Sequence, residues 1–525
     1  MTRLLAIVTI LAAAERVSAA APLTAPSPRS TAPLELVLFG DGKAARVQIR
    51  VEVDGKPVSA IWDQTFARLH AYFDRNADGV LDTTEAALLP STIALRHAMS
   101  SGFTPPVGAS PAFADLDGDS DGKVTPAELA RFYRRAGAGN AHIGVGRLPV
   151  SAELTDALLK HLDTNGDGKV TEKEWLAAAD VLKKLDKNDD ELIGVGELVP
   201  KAVYPGAAGT TLLTPPSADR PIPEALAKVP MILLPTDAGD VHWAATVVGR
   251  LDRDGDGHLT AAEAGFDTAT FARLDADHDG KLTAAELTAW RDQEPDGRWI
   301  VRLNGPKTGV DRFVFAGQRL RFEGWATAGK MPEATATARR QMTALLTSAA
   351  DDGDGMEITR PRRGSLSWLT PLADRDGDKK LDRKELDAWL DLQDQISSGQ
   401  VLLTVLDGGT GLFELLDTNH DGALSVRELR RAWKNLQAVG CLTDGALDRN
   451  KLPRSLLAAA SRGYPESFGT DLRGGPSWFR AMDRNGDGDV SRREFTGPPN
   501  VFDKLDTDGD GLIDTDEANK APGRK

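Results

Sequence analysis

The chain has 525 residues, enough for several domains, and its 63 Lys+Arg against 78 Asp+Glu leave a net charge of −15. A field of that sign repels phosphates and anionic lipid, which excludes nucleic acid and membrane surfaces as main partners. The single cysteine, Cys441, excludes an intrachain disulfide or a cysteine-based zinc site, so a chain holding 51 Gly and 30 Pro needs another staple.

From the N-terminus, Met1-Thr2-Arg3, the apolar run Leu4–Ala14 and the small residues Val17-Ser18-Ala19 read as a secretory signal over 1–19. That run is too short to span a bilayer, and no later stretch is long and apolar enough, so the expected product is exported, periplasmic or extracellular, with no membrane span. A linker follows over 20–33. LELVLF (Leu34–Phe39), the turn GDGKA and the alternation Val47, Ile49, Val51, Val53 predict a β-hairpin. Trp62, Phe66, Leu69 and Phe73 then share one face of a predicted helix and read as core. Tyr204–Pro235 reads as a Pro-rich linker, Trp299–Leu303 with Arg312–Phe322 as a second β element, and Cys441–Pro476 takes no assignment.

Between these elements one twelve-residue frame recurs ten times. It carries Asp first, Asp or Asn third, Asp fifth, an aliphatic residue eighth and Glu twelfth. Loop one offers Asp74, Asn76, Asp78, the carbonyl of Val80, Asp82 and Glu85; loop two offers Asp117, Asp119, Asp121, Lys123 and Glu128. Loop three offers Asp163, Asn165, Asp167, Lys169 and Glu174, and loop four Asp186, Asn188, Asp190, Leu192 and Glu197. Loop five offers Asp252, Asp254, Asp256, His258 and Glu263, and loop six Asp275, Asp277, Asp279, Lys281 and Glu286. Loop seven offers Asp374, Asp376, Asp378, Lys380, Asp382 and Glu385, and loop eight Asp417, Asn419, Asp421, Ala423 and Glu428. Loop nine offers Asp483, Asn485, Asp487, Asp489 and Glu494, and loop ten Asp506, Asp508, Asp510, Leu512, Asp514 and Glu517.

The spacing suits Ca²⁺, a hard cation that takes six to eight oxygens. Side chains one, three and five point inward, residue seven offers its carbonyl, residue nine an oxygen, and Glu twelve closes the site. Glycine at six takes the left-handed turn, and the aliphatic eighth residue lets two loops pair as a short ladder. Loops four and seven carry Glu191 and Lys379 in place of that glycine, which predicts backbone strain and weaker binding there. A further cluster, Ala349–Pro361, has Pro361 where the closing carboxylate belongs and is expected to bind nothing.

These loops resemble the EF-hand family, specifically exported bacterial proteins that carry many EF-hands. The resemblance covers the ten loops and their flanking helices. It implies helix–loop–helix units, usually paired, each holding one Ca²⁺. The fold class expected is mainly α: tandem EF-hand pairs with short β-hairpin segments near 34–53 and 299–322. Loop starts lie 43 or 23 residues apart and suggest sequential pairs at 34–136 (with the hairpin), 137–203, 236–294, 349–440 and 477–525, with a β segment and helix over 295–348 and 441–476 unassigned. Between loops three and four no breaker appears, so one unbroken helix from Glu172 to Leu185 is expected, holding the two loops apart at its ends.

A search for chemistry finds no HExxH, nucleophile elbow, dinucleotide-binding or phosphate-binding motif, and no enzyme is expected. The expected partners are calcium ions and a cell-envelope protein or polysaccharide. Two functional readings stand: calcium as a structural or buffered ion, and a calcium-dependent switch or adhesion scaffold. Seven methionines supply little of the flexible groove a switch uses, which favours the first. An enzyme decorated with EF-hands is the third.

Overall fold

The computed structural model describes residues 33–40, 43–92, 94–95, 108–135, 141–148, 150–202, 211–213, 228–235, 241–303, 313–317, 319–326, 339–340, 344, 369–398, 401–462 and 474–521. The expected signal segment and the cluster Ala349–Pro361 lie outside these residues.

Eleven strands build two sheets that face each other. In chain order they are β1 (Leu34–Gly40), β2 (Lys43–Val53), β3 (Lys56–Pro57), β4 (Ala141–Arg147), β5 (Thr211–Leu213), β6 (Met231–Leu233), β7 (Gly297–Leu303), β8 (Phe313–Gly317), β9 (Leu320–Ala326), β10 (Val401–Gly409) and β11 (Arg454–Arg462). The first sheet runs β7-β2-β1-β6 with β3 folded back on β2, and the second runs β8-β9-β11-β10-β4-β5. Leu36, Val47, Ile49 and Val301 of the first sheet bury against Ile143, Phe322, Leu403, Val405 and Ala458 of the second in one apolar core. Gly324 permits the closest approach: a Cβ there would lie 2.6 Å from the Trp299 ring.

Helical units therefore cover a β-sandwich, and "mainly α" is too narrow a description. The strands that sequence reading missed explain the error. β10 is buried along nearly its whole length, so VLLTVL is a continuous apolar run with no alternation. β11 is also central, and its Leu456–Ala460 run lies inside the stretch given no assignment. β5 and β6 lie within the stretch read as a Pro-rich linker. The two β segments expected to form one element near 299–322 divide between the sheets: β7 runs parallel to β2, whereas β8 and β9 form a hairpin on the second sheet. Parallel neighbours need long crossovers. Here the helix–loop–helix units supply them.

Five helices matter below: α1 (Val58–Phe73), α2 (Ser151–Leu162), α3 (Arg383–Ser398), α4 (Phe413–Leu416) and α5 (Val426–Val439). Trp62, Phe66, Leu69 and Phe73 of α1 are all buried. Their cluster also takes in Leu381, Leu386 and Trp389 from the loop-seven unit, with Tyr72 and Trp389 ring centroids 5.8 Å apart. The units of loops five and six pack on the outer face of the first sheet through Val37, Ala44 and Ile232. There Arg46, fully buried, is held by Glu35 at 3.3 Å and by the Arg291 carbonyl at 2.7 Å.

Ladders between loops depart from two of the five expected pairs. Leu81 faces Val124, Leu259 faces Leu282, and Val490 faces Ile513. Loop four, however, pairs with loop eight through Ile193 and Leu424, and loop seven joins the core of loops one and two. The pairs expected at 137–203 and 349–440 are thus not formed. Two physical causes act. β10 intervenes between loops seven and eight and delivers loop eight to the second sheet. The stretch between loops three and four stays helical in pieces, and Val170 and Ile193 share one core without laddering to each other. It is not one helix: it breaks into Glu172–Trp175, Ala178–Leu182 and a tighter turn at Lys183–Leu185. The break at Leu176, which is 80% exposed, lets Trp175, Ala178 and Leu182 all reach one core.

Candidate metal centres

All ten loops close by the same four contacts. One carboxylate oxygen of Glu twelve accepts from the amide of residue two at 2.6–3.0 Å. Its other oxygen accepts from the amide of residue nine at 2.9–3.1 Å. Asp one accepts from the amide of residue six at 2.8–3.3 Å. Asp five accepts from the amide of residue seven at 2.7–3.0 Å. These bonds anchor the carboxylates at one, five and twelve of each loop to its backbone.

The aliphatic residue at eight is buried in every loop: Leu81, Val124, Val170, Ile193, Leu259, Leu282, Leu381, Leu424, Val490 and Ile513. Glu191 and Lys379 adopt φ of 68° and 66°, the conformation that glycine takes at position six elsewhere. Loops four and seven therefore hold the same shape as the rest, at the steric cost of a side chain in the left-handed region.

Position three divides the loops. Where it is Asn, as at Asn76, Asn165, Asn188, Asn419 and Asn485, its amide donates to Asp five. Where it is Asp, the carboxylates crowd with no such amide donor at position three. Asp117, Asp119 and Glu128 form one such group, with oxygens within 4.8 Å of one another. Asp252, Asp254 and Glu263 form a second, Asp275, Asp277 and Glu286 a third, Asp374, Asp376 and Asp378 a fourth, and Asp506, Asp508 and Glu517 a fifth. Like charges at that range repel unless a cation lies between them.

Position nine has a further task. The sequence offers an oxygen of Asp82, Asp382 and Asp514 to the ion. In the structure each accepts from the amide of Glu twelve and so caps the first turn of the exiting helix. Residue seven is expected to offer its carbonyl, which leaves its side chain for other work. Lys281 at that position pairs with Asp256 of loop five, and Asp489 with Arg427 at 2.7 Å.

Arginines at position eleven, which the frame did not single out, tie the loops together. Arg427 of loop eight also reaches Asp514 of loop ten at 3.0 Å. Arg493 of loop nine pairs with Asp189 and Glu191 of loop four, and Asn485 donates to the Asp190 carbonyl at 3.0 Å. Loop eight also leans on the second sheet, with His420 stacked on Trp325 at 5.3 Å.

Environment separates the sites electrostatically. In loop five, amide hydrogen bonds from Thr260 and Arg253 pull the Glu263 carboxyl down to about 2. In loop eight, burial raises Asp417 well above the usual carboxylate range, with Glu428 and Asp421 adding repulsion. Ahead of that loop, α4 carries Glu414, buried against Ser151 beneath Gly411. Burial pushes the Glu414 carboxyl up to about 7 from an ordinary 4.5. A raised folded value means that its stabilising contribution is complete below about pH 4.5 and is lost as pH rises through about 7. Between pH 5 and pH 8 at saturating calcium, Glu414→Gln is expected to gain about 2.5 kcal/mol on the parent chain. Thermal melts of both proteins at the two pH values check this, and an unchanged difference refutes it.

With this geometry in place, comparison with known families is informative. A family described as an EF-hand domain pair matches residues 109–179, and one described as EF hand matches residues 266–289, 410–433, 477–496 and 501–517. The chain carries EF-hand domains. EF-hand domains imply calcium binding, and the carboxylate groups above are compatible with it. The matches take in loops two, three, six, eight, nine and ten; loops one, four, five and seven rest on the shared frame and geometry. The domain-pair match spans loops two and three, which the structure assigns to different cores. No curated protein and no solved structure matches the chain. No helix among the described residues is long and apolar enough to cross a membrane.

Proposed function

We propose that this is an exported calcium-binding protein with ten EF-hand sites, in which the ion acts mainly as a structural staple. What supports the reading is the recurrence of one set of four carboxylate–amide contacts in all ten loops, including the two without glycine at six. Loops one to eight also lie in the connections of a β-sandwich, so an ion that orders one of them orders the path between two strands. Export rests on the N-terminal signal-like segment. No catalytic role is proposed.

Calorimetric titration of the calcium-stripped chain tests this reading. About ten ions per chain are expected, with Kd on the order of 10⁻⁴–10⁻³ M, the range of extracellular modules. Failure to take up any ion at millimolar calcium would sink it.

A further inference from the structure

Among the described residues, Val170 of loop three is laddered to none of the other nine loops. Its carbonyl instead accepts from the Leu447 amide at 2.9 Å, and Thr171 bridges Ala446 in antiparallel fashion. Paired loops show the same relation between their eighth residues, since the Leu81 amide donates to the Val124 carbonyl at 2.9 Å.

Placing Leu447 at position eight sets a full frame on the segment left unassigned by sequence. Gly440 becomes residue one, Leu442 three, Asp444 five, Gly445 six, Ala446 seven, Asp448 nine and Lys451 twelve. Positions five, six and eight hold the residue types of the other loops. Asp448 at nine accepts from the Asn450 amide at 3.0 Å and so caps the turn that follows, the job Asp82 and Asp514 do. α5 runs into this segment, though it ends on Gly440 at φ 78° where the metal loops begin on Asp at negative φ, and the helical turn Arg449–Lys451 follows where an exiting helix begins. What is missing is the metal chemistry: Asp at one, an acid or amide at three, and Glu at twelve.

We propose that Gly440–Lys451 is an EF-hand loop that needs no ion, with the Lys451 ammonium as its built-in cation. Nζ of Lys451 donates to the Leu442 carbonyl at 3.1 Å, so the side chain at twelve reaches back across the loop to residue three. The rest of the loop is closed by hydrogen bonds within it. Leu442 and Thr443 ladder to Leu447 and Ala446 around a turn at Asp444 and Gly445, whose φ values are 51° and 75°. The Asp448 amide donates to the Cys441 carbonyl at 2.8 Å, and Thr443 Oγ1 donates to Asp448 at 2.9 Å. The positive φ values fall at one, five and six, not at four and six as in the ten metal loops, because Gly440 ends α5 in the left-handed conformation at 78° and a hairpin replaces the wrap around an ion. Loop three thereby has a partner whose shape does not depend on calcium. This step rests on the calcium reading of loop three, but the lysine-closed loop itself does not.

Two variants of the full chain test the proposal. Gly440→Asp/Leu442→Asp/Lys451→Glu restores the missing ligands, and calorimetric titration should count one more ion than in the parent. An unchanged count in a variant with parental circular dichroism overturns the proposal. Should the triple variant fail to fold, Lys451→Met decides. At saturating calcium, deuterium uptake of the peptide covering 440–451 should rise roughly tenfold in Lys451→Met and stay at the parental rate in Lys451→Arg. Equal uptake in Lys451→Met and the parent overturns the proposal. A parent chain that binds no calcium defeats the function proposed above, yet leaves this exchange comparison decisive.

Discussion

Chelation of calcium is expected to lower the melting temperature of the chain more than any single substitution, and to loosen the sandwich as well as the loops. Each ion bound only by the folded form contributes RT ln(1 + [Ca²⁺]/Kd), about 2.7 kcal/mol at a hundredfold excess over Kd. The largest share should come from the loops with Asp at position three, where groups such as Asp252, Asp254 and Glu263 crowd without an internal amide donor. Near-ultraviolet and far-ultraviolet circular dichroism, followed through melts with calcium and with chelator, measure the effect. If ions only decorated a self-sufficient fold, the two melts would superimpose. If they staple it, the strand signal should be lost together with the helical signal, because the loops of one sheet's crossovers pack on the other elements of the sandwich.

Replacing Arg427 with Met is expected to undock the C-terminal pair of loops. The guanidinium lies between Asp489 at 2.7 Å and Asp514 at 3.0 Å, and both it and Asp489 are largely buried. Burial holds the Asp489 carboxyl up at about 7, with Arg427 pulling it downward. Removing the cation leaves a buried carboxylate opposed by Asp514 and Asp510, a change of about 3 kcal/mol or more. The expected readout is a calcium-saturated chain in which residues 477–521 exchange amide hydrogens faster while α5 and the sandwich keep their protection. Uniform acceleration across the chain would mean that Arg427 supports the whole fold; no acceleration would mean that Arg430, which donates to the Asp510 carbonyl, and Arg493 hold the pair alone.

How much of this was legible in the sequence depended on what each residue's signal reported. The loops announced themselves because their ligand positions are set by local geometry. Twelve consecutive residues specify the turn, the carboxylate cluster and the buried aliphatic residue, and the structure places Asp74, Asp78 and Glu85 with the backbone contacts that such a turn requires. Pairing was less legible because Ile193 and Leu424 are both simply aliphatic, and nothing local says which of ten equivalent eighth residues each will meet. The central strands were hidden for a different reason. Buried on both faces, β10 and the Leu456–Ala460 run lose the alternation that made β2 readable. The lysine-closed loop escaped because a search for metal ligands discards a frame with Gly440, Leu442 and Lys451 at its coordinating positions. Only the contact with Val170 restores the register.

The register of the sandwich carries a consequence for how the chain is made. Val47 of β2 sits opposite Gly297 of β7, and Ala141 of β4 opposite Val401 of β10. Loop four likewise waits for loop eight. A polypeptide made N-terminus first can form the β1–β2 hairpin early but cannot complete either sheet until its distant half has been delivered. Such long-range topology folds slowly. Each sheet would close only when its last strand arrives, β7 for the first and β11 for the second.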